Sequence, residues 1–162
     1  MKRLIPLFTV AFPLFSFAAD SSPDQGFFTT IAEGGLAEVA AGKLAETKGT
    51  TPSVKQFGAM MVKDHGAANE KLKGIAAAKG IKLPMEPNLT QKGKAEMLEH
   101  KVGAEFDREY IDGQINDHIA TEEVLQQEIS SGKDADAKAF ASEMLPKVQA
   151  HLKAVQDIKA SK

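Results

Sequence analysis

Cysteine is absent from all 162 residues. Thiol nucleophiles, iron–sulfur clusters and cysteine-based zinc sites are therefore excluded, and no disulfide can hold the fold together. Runs of β-branched and aromatic residues are also missing, which argues against strands. No cluster of Lys and Arg stands out and the formal net charge is −2, so nucleic acid is not an expected partner. There is no phosphate-binding glycine loop and no nucleophile elbow. Ser130-Ser131-Gly132-Lys133 fits a Ser-x-x-Lys pattern but lacks the companion motifs of that chemistry. Nothing in the chain marks it as an enzyme.

One long apolar run exists, and it is at the N-terminus. Met1-Lys2-Arg3 is followed by Leu4 to Phe17 with little polarity, ending at small residues around Ala18-Ala19. A basic start, a short apolar stretch and a small-residue end form the pattern of a cleaved secretory signal. The run is short for a membrane span, which needs about 20 residues, and Pro6 and Pro13 interrupt it. The expectation is a signal peptide over residues 1–19, a mature domain over 20–162, export to the periplasm, and no membrane span after cleavage. Loss of Lys2 and Arg3 moves the net charge from −2 to −4.

The rest is rich in Ala, Glu, Lys, Gln and Leu, good helix formers. Spacings of three and four predict four long amphipathic helices. The first covers Asp24 to Lys48, with Phe28, Ile31, Gly35, Glu38, Gly42 and Ala45 on one mostly small face. The second starts at Thr51 and Pro52, a cap and first-turn pair, and ends at Gly80. Its inner stripe is Val54, Phe57, Met61, His65, Ala68, Leu72 and Ile75. Ile81 to Thr90 reads as a crossover loop and Gln91 to Lys101 as a short helix, with a break at Gly103. The third long helix covers Glu105 to Ile129, with Asp107, Ile111, Gln114, His118, Thr121 and Leu125 inward. The fourth covers Asp134 to Ile158, with Phe140, Met144, Val148, His151, Leu152 and Val155 inward and a kink at Pro146. Short connections make each consecutive pair an antiparallel hairpin, and the fold class is an all-α four-helix bundle.

The two hairpins look duplicated. Phe27, Gly34 and Glu38 match Phe106, Gly113 and Asp117 at one offset, and Lys55, Phe57 and Met61 match Lys138, Phe140 and Met144 at another. An Asp-His pair also repeats, as Asp64-His65 and Asp117-His118.

Three of the four histidines fall on inner stripes: His65, His118 and His151, each near the middle of a different helix. Glu38 lies at comparable depth on the first. Imidazole and carboxylate suit zinc, copper, iron or manganese, and bundle cores host such sites. The four residues are therefore candidate ligands of one transition-metal ion. The competing reading is a buried polar network in which they satisfy one another. Asp64 and Asp117 point about 100° away from the neighbouring histidines on a helical wheel, so they are candidates for an outer, supporting role. Asp107 is too far along its helix to reach the same ion; it and Tyr110 are further supporting candidates. His100 falls in the loop region and is left out. Met60, Met61, Met97 and Met144 read as core filler rather than soft copper ligands.

Glu33-Gly-Gly-Leu-Ala-Glu38-Val, Val62-Lys-Asp64-His65, Phe106-Asp107-x-x-Tyr110, Asp117-His118 and Leu145-Pro146-x-x-x-x-His151-Leu152 resemble the DUF4142 family in order and spacing. The resemblance implies an exported bacterial protein of the ferritin-like superfamily, a four-helix bundle with one long crossover. The chain departs from the di-iron pattern of that superfamily, because no Glu-x-x-His pair falls in its long helices. A mononuclear histidine-rich site, or none, fits better, and if metal is bound the expected role is carriage, buffering or detoxification. The alternative is a non-enzymatic envelope protein acting through a protein partner.

Overall fold

The structure, a computed structural model, describes residues 23–161; the expected signal peptide lies outside them. Five helices follow in order: α1 (Pro23–Lys48), α2 (Pro52–Ala78), α3 (Leu89–Glu99), α4 (Gly103–Ser131) and α5 (Ala135–Ala160). Among the described residues no strand forms, and no helix is long and apolar enough to cross a membrane.

Local chemistry explains the boundaries. The Thr51 hydroxyl accepts from the Val54 N–H at 3.4 Å with Pro52 at the first turn. Gly80, at φ +69°, closes α2: its N–H reaches Ala77 O and the Ile81 N–H reaches Ala76 O. The short helix begins earlier than expected. Asn88 and Gln91 cap each other reciprocally at 3.0 Å, so the turn at Leu89 and Thr90 is already helical. Gly103, at φ +61°, turns the chain into α4, which starts there rather than at Glu105. The fourth long helix runs unbroken through Pro146, whose ring is exposed.

α1 packs on α2 and α4 on α5, and the two hairpins meet through α1–α4 and α2–α5. The small face of α1 has a steric purpose. A Cβ on Gly42 would stand 2.7 Å from Gly58 O, and one on Gly58 would stand 2.7 Å from Gly42 O. The two backbones approach so closely that only hydrogen fits at either position. α3 lies across α1 and α4, and none of its residues is buried.

The interior has two apolar clusters. One contains Phe27, Phe28, Leu72, Leu125, Phe140, Met144 and Val148. The other contains Val54, Phe57, Met61, Phe106, Tyr110, Ile111 and Val155. On every long helix the chemistry-bearing residue falls between them: Glu38, His65, His118 and His151 form a polar belt across a dry core.

The hairpins correspond at one constant offset, not two. Asp24, Gly49, Thr51, Phe57 and Met61 recur as Asp107, Gly132, Asp134, Phe140 and Met144. The matching contacts are reciprocal. Asp107 accepts from the Thr50 N–H at 2.9 Å, in the turn of the first hairpin, and Asp24 accepts from the Lys133 N–H at 3.0 Å, in the turn of the second. Each half thus ties down the turn of the other, the mark of a pseudo-twofold relation. The earlier pairing of Phe27 with Phe106 was out of register; its structural mate is Tyr110.

Candidate metal centre

His65 on α2, His118 on α4 and His151 on α5 meet in the middle of the bundle. Their ring centroids form a nearly equilateral triangle, with sides of 5.6, 5.5 and 5.5 Å. Each ring offers one nitrogen such that all three lie within 4.8 Å of one another. All three residues are buried.

The hydrogen bonds set the tautomers. His118 Nδ1 stands 2.8 Å from Gln114 O, a pure acceptor, so Nδ1 carries the proton and Nε2 is left with a lone pair. His151 Nε2 stands 3.0 Å from Asp64 Oδ2 and donates to it, which leaves Nδ1 with the lone pair. His118 Nε2, His151 Nδ1 and His65 Nε2 are all buried without a hydrogen-bond partner. A carboxylate or carbonyl behind a metal-binding imidazole fixes its orientation in this way.

Burial also holds the His65 and His118 rings neutral. Desolvation, and then repulsion from His118 and His151, lowers the His65 pKa to about 3. Desolvation lowers His118 to about 4 against the opposing hydrogen bond from Gln114. Neutral imidazole is the form that ligates a metal.

Glu38 is buried beside the triangle but is not part of it. Its Oε2 accepts from Gln114 Nε2 at 2.6 Å, and its Oε1 stands 3.9 Å from His118 Nδ1, the nitrogen already engaged by Gln114 O. Desolvation raises its pKa to about 7, only partly offset by Gln114. Three of the four expected ligands therefore come together, and Gln114, one turn before His118, holds the fourth aside.

The supporting candidates divide. Asp64 does support a histidine, although across the bundle on His151 rather than beside it in sequence. Asp117 faces outward and pairs with Lys94 at 2.7 Å. Asp107 is buried and bonded to the Thr50 N–H and hydroxyl, at 2.9 and 2.6 Å, and serves the α1–α2 turn instead of the histidines. Tyr110 stacks on Phe106 at 6.1 Å, and Phe57 lies between it and His118. Burial pushes its hydroxyl pKa upward. His100 caps α3 at the surface, away from the triangle. Two residues that matter here were not singled out from the sequence: Gln114, which sits on the same stripe as His118 one turn earlier, and Asp24, whose signal was its match to Asp107.

The sequence matches the domain of unknown function DUF4142 over residues 15–158, and the chain belongs to that family. No curated protein matches it. The fold is similar to the crystal structure of a conserved hypothetical protein from Mycobacterium tuberculosis, with a TM-score of 0.68 and 14% identity, covering 86% of this chain and 92% of that one. At that identity the likeness concerns the fold alone.

Proposed function

We propose that this protein binds one transition-metal ion through His65 Nε2, His118 Nε2 and His151 Nδ1, and that it carries or buffers the ion in the cell envelope. Envelope location rests on the signal-like pattern at residues 1–19. The observation that carries the metal reading is that each of three clustered rings has a buried nitrogen without a hydrogen-bond partner, and that the rings each offer a nitrogen within 4.8 Å of the others. An unpaired buried polar atom costs about 1–3 kcal/mol, and three on one spot demand a common partner. A polar network accounts for the outer nitrogens, which Asp64 and Gln114 O satisfy, but leaves the inner ones unexplained. Metal–nitrogen bonds of ~2.0–2.1 Å in tetrahedral geometry set the nitrogens about 3.4 Å apart, so the rings need to close inward by little more than an ångström. Zinc, copper, iron and manganese all accept imidazole, with copper and zinc high in the affinity order.

The test is elemental analysis of untagged protein, followed by melting with added zinc or copper near neutral pH. One ion per chain and a raised Tm are expected, because a ligand of the folded state stabilises it by mass action. His118→Ala removes most of the gain, and His100→Ala leaves it. If native protein gains nothing while His118→Ala melts lower with or without metal, the histidines are a structural network and the metal reading falls. The expected mature start at Ala19 or Asp20 is checked by intact mass of protein from the periplasm; a mass retaining Met1 to Phe17 refutes the export reading.

A further inference from the structure

Three imidazoles do not complete the coordination of any of these ions, and α1, the long helix without a histidine, leaves room for a fourth donor. At the depth of the triangle α1 presents Gly34, Gly35, Ala37 and Glu38. A cavity of about 160 Å³ lies there, lined by Gly34, Glu38, His65, Asn69, Thr121 and Met144 among others. His65 is the one ring of the three that borders it. Thr30 and Ala120, also on its wall, are exposed, so the cavity leads outward. A Cβ on Gly34 meets nothing within 4 Å, which makes that wall an open one.

Charge points to the occupant. A divalent ion with three neutral imidazoles carries its full positive charge inside the bundle, and buried charge is costly unless it is compensated. Asp64 offsets part of it through His151. The Glu38 carboxyl is engaged by Gln114 and faces the wrong nitrogen of His118. Glu38 is buried beside the triangle but makes no hydrogen bond to any of the three rings, so a small anion on the ion itself would complete the compensation.

Resting on the metal reading above, we propose that the ion held by His65, His118 and His151 keeps one coordination position open to this cavity and takes there a small monodentate anion of the hydroxide or azide class. Ion sites with three protein ligands and an exchangeable fourth are the open kind, in contrast to closed structural sites. The volume is ample for a ligand of that size.

The experiment uses the untagged protein loaded with cobalt(II), whose visible absorption reports coordination, titrated with sodium azide at fixed pH. The expected result is a saturating spectral change at one azide per cobalt. Gly34→Leu and Thr121→Leu fill the cavity from α1 and α4. Each is expected to keep one cobalt per chain and to weaken azide binding at least about tenfold, or 1.4 kcal/mol. The azide titration of the unaltered chain decides the open position should both variants fail to fold. Stoichiometric cobalt with a spectrum indifferent to azide overturns the open position and leaves the metal reading standing. Cobalt that is not taken up, or is taken up equally by His118→Ala, overturns both. Azide binding undiminished in the filled variants shows that the anion does not use this cavity.

Discussion

Asp64 reaches His151 on another helix and not His65, its neighbour in sequence. The helical wheel supplied the reason in advance, since adjacent residues point about 100° apart, but only the packing of α2 on α5 shows which ring the carboxylate meets. Its role is therefore testable in isolation. Asp64→Asn keeps the size and loses the charge behind His151, and metal affinity is expected to fall about 10–100-fold with little change in the metal-free Tm. Unchanged affinity by competition with a chelator would remove Asp64 from the site. A second residue-scale expectation concerns packing. Leu125 is fully buried in the cluster beside the polar belt, so Leu125→Ala should cost about 2–5 kcal/mol. Lys133 has an exposed side chain and uses only its backbone N–H, bonded to Asp24, so Lys133→Ala should cost little. Equal urea midpoints for the two variants would show the inner stripe to be misassigned.

The helices themselves were legible because apolar and polar residues alternate with helical period over long stretches. Of the α4 stripe, Asp107, Ile111, Gln114, His118 and Leu125 are all buried. What periodicity does not carry is who faces whom. The Gly42–Gly58 approach, the partition of Asp64, Asp107 and Asp117 among three tasks, and the removal of Glu38 from the triangle by Gln114 all depend on the rotation and depth of one helix against another. Boundaries set by capping side chains are less legible: composition extends the loop to Thr90, although the Asn88 cap lies two residues before it. The small face of α1 gives an element-scale prediction. Gly42→Val pushes a branched side chain against Gly58 O, a backbone atom that cannot yield, so a loss of about 1–3 kcal/mol is expected. Gly74→Ala, exposed on α2 with nothing within 4 Å of its Cβ, should gain about 0.5–1 kcal/mol from helix propensity. Thermal melts that move both variants the same way would contradict the close crossing.

At the scale of the whole molecule, the belt sets the acid response of the metal-free protein. His65 and His118 have folded pKa values of about 3 and 4, below the ordinary 6.5. The unfolded chain therefore binds more protons as pH falls below 6.5, and stability is lost there. Glu38 acts in the opposite direction. Its folded pKa of about 7 exceeds the ordinary 4.5, so the folded chain binds the extra proton between those values and gains stability as pH falls. The two effects partly cancel between pH 6.5 and 4.5, with the histidines dominating by number. Glu38→Gln deletes the compensating one. In chelator-treated protein this variant should match or exceed the parent at pH 8, where the parent buries a charge, and should lose stability more steeply below pH 6.5. Parallel profiles from urea titrations across this range would mean that Glu38 does not titrate as a buried acid.

The reciprocal ties of Asp24 and Asp107 have a consequence for the cavity. At the offset that pairs those two residues, the mates of His65, His118 and His151 are Val148, Gly35 and Ala68. All three of these line the cavity. The free volume is thus the counterpart of the histidine cluster, with isopropyl, hydrogen and methyl standing where the other place has imidazole. Two identical hairpins associating as separate chains would have to carry the same side chains at both places, and a cluster and a void could not coexist. Joining the halves into one polypeptide releases them from that equality: one copy can gather imidazoles while its twin shrinks to make space.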